Sequence, residues 1–531
     1  MEDYADIAIN GYIKGLRLGS SFCRDRIPRL FDLLGEYSGG KGVEHWTTAV
    51  QKVPAWVFLN CSSHLCGCLN MREQAPFIAA ALEKLATEYP NALIYQLSVL
   101  SRDKLRYCGA HTLSLLQSPA MNMFMESLDY LSHPELRWND GLDVIEGLVS
   151  KGLLPAALDE YRHLLERIRE GRHVGRQIGG YNVKIANKIE QIVSKEGGGP
   201  DECVTLFTDS DQVRAFLRKV KFNDIVAHAA GKASLLLFSE WLNAFNPAYR
   251  VEIPGQYLDE ISRPPDTGTH VFIQYIHTQL VVQPSIRRPK KITFGGTNGR
   301  DYHFLVKGGE DLRIDERIQY IVRTLNKLTS TKSAAEVAIG ISRVGPQARD
   351  QKLCVKTYHV IPVTPRLGIL QWLDHTQNLQ GIIEDEMLLD ADFRRRNTDA
   401  IYHDNGADKV VIHALESTKL KESLIPSDLG VEAYHREIPR SETVSCYERM
   451  SQLQPCDFIK RKLCRDSKDA EVFFLMRNEY LRSLSACCVI TYLLGIGDRS
   501  HSPNHLLTHS SNHLLTHSPN HLLTHSPKAP R

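Results

Sequence analysis

The strongest constraint on the fold is a change of hydrophobic period near Tyr249. Before it, apolar residues recur at the spacing of a helix face. "APFIAAALEKLATEYPNALIYQLSVL" (Ala75 to Leu100) is rich in Ala, Leu and Glu and is interrupted at Pro90, so a helix with a break is expected there. "LLPAALDEYRHLLERIREG" (Leu153 to Gly171) shows the same stripe and closes on a glycine in C-cap position. Residues 1–250 are therefore expected to form an all-helical array without a β-sheet, as a solenoid or bundle that lacks a strict sequence repeat.

After "YRVEIPGQY" (Tyr249 to Tyr257) the pattern shortens to β-type runs: "HVFIQYI", "QLVVQP", "KKITF", "YHFLVK" and "CVKTYHVIPV". "FGGTNGR" separates "KKITF" from "YHFLVK", and its Asn298-Gly299 pair is a strong hairpin signal. A helix is expected from "GGEDLRIDERIQYIVRTLNKL", with Ile318, Ile321, Val322 and Leu325 on one face. From about residue 374 the pattern is again mostly helical, ending in "FFLMRNEYLRSLSACCVITYLLGIGDR". The expected fold is an all-α array followed by a two-lobed α+β arrangement.

With 531 residues the chain has room for several domains, and 24% charged residues with 42% hydrophobic ones mark most of it as globular. A net charge of +2 gives no overall pull toward nucleic acid or a lipid surface. No stretch has the apolar length of a membrane span, and "MEDYADIAINGY" lacks the pattern of a secretory leader, so no membrane association is expected. The twelve cysteines are scattered, as in a reduced intracellular protein. Cys61, His64, Cys66 and Cys68 cluster, but their spacing does not match zinc-ligand pairs, and buried helix thiols are the expected state.

The stretch "FLVKGGEDLRIDERI" carries the chemistry. Lys307 ends an apolar strand, and Glu310 and Asp315 follow in what reads as the first turns of a helix. A lysine on a buried strand requires a carboxylate partner or loses its charge. Such a pair can hold a cation against nucleotide phosphates. A surface lysine beside a solvated, acidic helix start produces the same letters, and spacing alone leaves both open.

"FLVKGGEDLRIDERI" closely resembles the signature of the phosphatidylinositol 3-kinase-related protein kinases. "SIRRPKKI" (Ser285 to Ile292) resembles their phosphate-binding loop, "YHVIPVTPRLGILQWL" (Tyr358 to Leu373) their interlobe hinge, and "LLGIGDR" their catalytic loop, in family order. The resemblance implies a FAT-like helical repeat end at 1–130, a helical segment at 131–248, a kinase small lobe and hinge at 249–373 and a partial, mostly helical large lobe at 374–499. It implies ATP and magnesium as cofactors. Lys307 would grip the α- and β-phosphates with Glu310 and Asp315 as partners, and Ser285 and Arg287 would sit over the phosphates. Trp372 would stack on adenine, the backbone of Leu370 and Leu373 would bond its edge, and Tyr358 would line the back of the pocket. Asp498 would be the catalytic-loop base. Taken by themselves, Trp372 also suits a plain core and Asp498 a turn cap. The detailed wording is most like family members in DNA double-strand-break repair by non-homologous end joining. That implies protein substrates, DNA-end-binding partner proteins and a nuclear location. A different family member, including a lipid kinase, and a non-catalytic helical scaffold with a pseudokinase lobe are the alternatives.

The resemblance stops at Arg499. The family continues Asp-Arg-His and places Asn five residues after the Asp, whereas here Ser500 follows and Asn504 is the sixth residue on. No Asp-Phe-Gly occurs anywhere in the sequence, so no ligand for magnesium is assigned. Residues 500–531 instead repeat an octapeptide with histidines every four residues from His501 to His525. Pro503, Pro519 and Pro527 oppose a continuous metal-binding helix, and a disordered tail is expected, of the kind an out-of-frame or truncated reading produces. Without the magnesium acid and activation loop, little or no phosphotransfer is expected.

Overall fold

A computed structural model describes residues 2–37, 39–170, 180–199, 202–222, 230–259, 261–285, 287–329, 355–374, 382, 385–386, 388–390 and 457–496. The chain divides into two compact units, Met1–Gln319 with Tyr358–Trp372, and Tyr320–Thr357 with Leu373–Arg531.

The first unit begins with the helical array. The expected helix with a break is a helix over Ala75–Glu88, a 3-10 turn at Pro90–Ala92 and a short helix over Ile94–Ser98. Pro90 cannot donate the next helical hydrogen bond, so the chain turns there. The Leu153 stripe folds as a helix over Leu154–Glu170, with Ala157, Tyr161, Leu164 and Leu165 buried. Gly171 lies outside the described residues. Two hydrophobic cores are built mainly by the array, with Ile261 joining the first of them. One gathers Ile13, Phe31, Trp46, Phe58 and Leu82, and the other Trp138, Ile145, Tyr161, Phe216 and Val220.

A seven-stranded sheet is laid against this array. Its strands are β1 (Gly231–Ser234), β2 (Ile273–Ile276), β3 (Gln279–Val282), β4 (Lys290–Gly296), β5 (Asp301–Gly308), β6 (Val360–Thr364) and β7 (Leu367–Gln371). They run in the order β1-β3-β4-β5-β7-β6, with β2 also on β4, and each described pair is antiparallel. The Asn298-Gly299 hairpin closes as expected. Gly296 donates to the Arg300 carbonyl at 2.8 Å, and Gly299 takes φ +74, a conformation glycine adopts without strain.

β1 corrects the expectation that residues 1–250 hold no sheet. Gly231 to Ser234 pair with Val282 to Gln279 along the edge. "GKAS" has no apolar alternation, so its strand character comes from the partner strand rather than from its own residues. "CVKTYHVIPV" is likewise strand only from Val360; Val355 to His359 have no regular structure.

The sheet has two distinct faces. Ile292, Phe294, Phe304, Val306, Ile361, Val363, Leu367 and Ile369 point to the array and share a core with Phe124, Leu128, Phe238 and Trp241. Phe294 packs between Phe124 and Phe304 at ring distances of 5.9 and 5.4 Å, with the rings tilted. Directly opposed residues of an antiparallel pair share a face and neighbours alternate. The register therefore puts Lys291, Thr293, His303, Leu305, Lys307 and Leu370 on the other face. The helix over Arg313–Thr329 follows β5. Val322 is buried as expected of its stripe, but Ile321 is 37% exposed.

In the second unit, helices run over Phe458–Asp466 and Ala470–Leu494. Asp469 caps the longer one by accepting from Val472 N at 2.8 Å, and Gly495, at φ +61, ends it. Asp498 and the octapeptide tail lie outside the described residues.

Candidate functional site

The site is the sheet face turned away from the array. Lys307 is the last but one residue of β5, opposite Gly368 of β7. It is buried, and its Nζ lies 3.6 Å from a carboxylate oxygen of Glu310, well within the range over which opposite charges act. The surface-lysine reading is thereby excluded. Glu310 is not in the helix as expected; it lies in the turn before Arg313, because Gly308 and Gly309 carry the chain away from the strand. Asp315 is in the first helical turn.

Glycine is required at three neighbouring places. A Cβ on Gly308 would fall 1.9 Å from Ser132 Oγ, where the strand end touches the array. Gly309 has φ +80, and a Cβ there would meet the Arg287 guanidinium and the Asp140 carboxylate at 2.8 Å each. A Cβ on Gly368 would strike Leu312 at 2.6 Å, so the buried Leu312 seats the start of the acidic helix against β7 beside Lys307.

Tyr358 stands on the same face, one alternation from Val360, and is 2% exposed. Its backbone N–H donates to Gln319 at 3.2 Å. Burial first, then the charge of Asp315, push its phenol above the ordinary tyrosine range. Trp372 continues β7; its backbone N–H donates to the His303 carbonyl at 2.8 Å, and the Lys291 ammonium stands 4.6 Å over its ring, a cation–π contact. The indole is half-buried rather than core.

Leu370 does not fit the role expected of its backbone. It lies between Leu305 and Val360 in a central strand, and its neighbours Gln371 and Trp372 donate alternately to the two flanking strands. Its own peptide groups are thus in the ladder, and only its side chain faces the site. Leu373, the following residue, belongs to the second unit and is half-buried.

A short arch joins β3 to β4. Ser285 accepts from Arg288 N at 3.0 Å, and Arg288 takes φ +46, an uncommon conformation for a side-chain-bearing residue. Arg287 is turned toward the array, where its guanidinium lies 2.7 Å from Asp140. The two adjacent lysines separate. Lys291 goes to the site face, while Lys290 points inward, 1% exposed, over the Phe238 ring at 5.0 Å. Its amine has no hydrogen-bond partner among the described residues, and burial, with Arg137 and Arg288 adding repulsion, lowers its pKa to about 7. Sequence reading missed Lys291 and Lys290, although strict alternation along "KKITF" was the signal that separates them.

The cysteine cluster divides in the same way. Cys68 Sγ lies 3.6 Å from His64, whereas Cys61 and Cys66 are buried, and burial pushes the Cys61 thiol up to about 12.

A cation at the end of a buried strand, a second over an aromatic ring, and apolar walls from Leu305, Leu370 and Tyr358 suit a planar ligand bearing phosphates. The family model for "Phosphatidylinositol 3- and 4-kinase" matches residues 301–530. The catalytic subunits of DNA-dependent protein kinase from Mus musculus and Dictyostelium discoideum are each 27% identical to this chain, over 94% and 91% of it. A serine/threonine-protein kinase TOR from Arabidopsis thaliana is 28% identical over 82% of it. The matched regions are 12%, 11% and 16% of those relatives, so the chain spans about an eighth of their length.

Proposed function

We propose, because this chain belongs to the phosphatidylinositol 3-kinase-related protein kinases, that its sheet face is the nucleotide-binding half of a serine/threonine protein kinase. The observation that carries the reading is Lys307, buried on β5 and 3.6 Å from Glu310, on the one sheet face not consumed by the core. On this reading 249–373 is the small lobe and hinge, 374–499 is part of the large lobe, and 1–248 is the helical region before them. Kinases of this family use ATP with a divalent metal. Lys307 holds the α- and β-phosphates, Glu310 and Asp315 aim it, and the Ser285 arch covers the phosphates. Trp372 and Tyr358 bound the adenine, with the Leu370 side chain beneath and the Leu373 backbone at its edge. Arg287 acts indirectly, by tying the arch to Asp140. Asp498 is assigned as the base that accepts the substrate hydroxyl proton.

The likeness to DNA-dependent protein kinase catalytic subunits supports a finer proposal: protein substrates, DNA-end-binding partners, a nuclear location and a role in end joining. Among the described residues no helix is long and apolar enough to cross a membrane. The sequence holds no Asp-Phe-Gly, and magnesium is proposed only as the family's usual metal. A nucleotide held from one side stays partly wet, whereas ligand sites bury roughly 70–90% of their guest. We therefore assign the chain weak, largely magnesium-independent nucleotide binding and no appreciable phosphotransfer. Titration with a fluorescent ATP analogue, with and without magnesium, tests this. Tight, magnesium-dependent binding overturns the incomplete site, and no binding at millimolar analogue overturns the nucleotide reading itself.

A further inference from the structure

A second cavity lies in the first unit, beside β6 and lined by residues that do not include Lys307. It is bounded by the Ile94–Ser98 helix and the two residues after it, by Glu252 to Leu258, by β6 and by the first turns of the Arg313–Thr329 helix. Its interior offers about 100 Å³. An apolar cavity of roughly 150 Å³ holds benzene, so this space takes a guest of about one small ring, with its polar substituent at the cationic end. Much of the wall is apolar, from Ile94, Val99, Leu100, Ile253 and Ile361.

Three cations converge at one end: Lys104, Arg313 and Arg317. Arg313 is neutralised by Asp311, whose carboxylate it grips at 2.6 and 2.8 Å. Lys104 donates to a neutral acceptor, the Gly67 carbonyl, at 2.7 Å. After burial, the largest influences on its amine are the like charges of Arg317 and Arg313, which lower its pKa. Of the two carboxylates in the wall, Glu316 accepts from Ser63 Oγ at 2.9 Å, and Glu252 accepts from Asn91 at 2.9 Å with His270 3.3 Å away. Tyr95 adds a buried hydroxyl with no hydrogen-bond partner among the described residues.

An apolar space with repelling cations at one end and an unused donor in its wall is complementary to a small anion with an apolar body. We propose that this cavity binds a small aromatic or aliphatic carboxylic acid, its carboxylate between Lys104 and Arg317 and its ring against Ile94, Val99 and Ile361. Such a ligand bridges the Ile94–Ser98 helix to the helix that bears Asp315, and so braces the acid side of the Lys307 site. The binding event itself does not depend on the nucleotide reading.

Fluorine NMR of the full chain with 4-(trifluoromethyl)benzoate tests it, against 4-(trifluoromethyl)benzyl alcohol as the neutral control. The acid is expected to bind at least about tenfold more tightly than the alcohol, a difference of about 1.4 kcal/mol. Lys104→Met and Arg317→Met are each expected to remove most of that preference, and Leu100→Trp to block both compounds. Arg317 is exposed, so its variant keeps the test valid even if Lys104→Met unfolds. Equal binding of acid and alcohol, binding unchanged in Arg317→Met, or no binding of the acid at millimolar concentration overturns the proposal.

Discussion

Arg287 and Asp140 lie 2.7 Å apart although 147 residues separate them in sequence. Arg287 belongs to the arch between β3 and β4, and Asp140 to the helix over Pro134–Ser150. The pair thus fastens the arch carrying Ser285 to the helical array. Both side chains are partly shielded, at 33% and 17% exposure, so the contact is stronger than a fully solvated ion pair. Asp140→Asn is expected to destabilise the chain by about 1 kcal/mol, and the cycle with Arg287→Gln to show a coupling of similar size. Urea unfolding of the four proteins measures it; strictly additive effects would remove the fastening role.

Gly308→Ala is expected to cost about 1–3 kcal/mol, the usual range for forcing atoms into a packed interface. The added methyl would overlap Ser132 Oγ at 1.9 Å and its Cβ at 2.7 Å. Ser132→Gly removes both atoms and is expected to recover much of the loss in the double variant. Thermal melting of the three variants decides it, and a Gly308→Ala chain that melts like the parent contradicts the close approach.

Lys290 makes stability depend on pH. Its folded-state pKa is about 7, against 10.5 for the ordinary amine. Between those values the unfolded chain holds a proton that the folded chain has released, so stability rises with pH across this window and falls as pH drops toward 7. Lys290→Met fills the same space without the charge. The variant is expected to melt above the parent at pH 6, with the difference narrowing by pH 9. A gap that is constant or widens with pH would show that Lys290 keeps its proton when folded.

Lys307→Met is expected to weaken binding of a fluorescent ATP analogue at least about tenfold, in line with the loss of a charge-assisted phosphate contact. Glu310→Gln should weaken it less, since Asp315 shares the cationic side of the site in the proposed reading. Calorimetric titration of both variants, with melting curves to show that they fold, supplies the comparison. Undiminished affinity in Lys307→Met would move the nucleotide away from this face.

Local sequence determined the elements whose forces are local. The break at Pro90 and the Asn298-Gly299 hairpin act within a few residues, and both were legible in the order of residues. The approach of Lys307 to Glu310 is as local, but the same letters suit a solvated lysine, and only its burial decided between the two. Tertiary structure decided the rest. "GKAS" became a strand because β3 had a free edge to pair with it. Leu370 kept its peptide groups in the ladder because strands flank it on both sides. Lys290 and Lys291 are chemically identical neighbours, yet one is buried over Phe238 and the other stands over Trp372. The pleat guarantees that they part, but only the packing of the sheet on the helical array chooses which of them loses water and which faces the site.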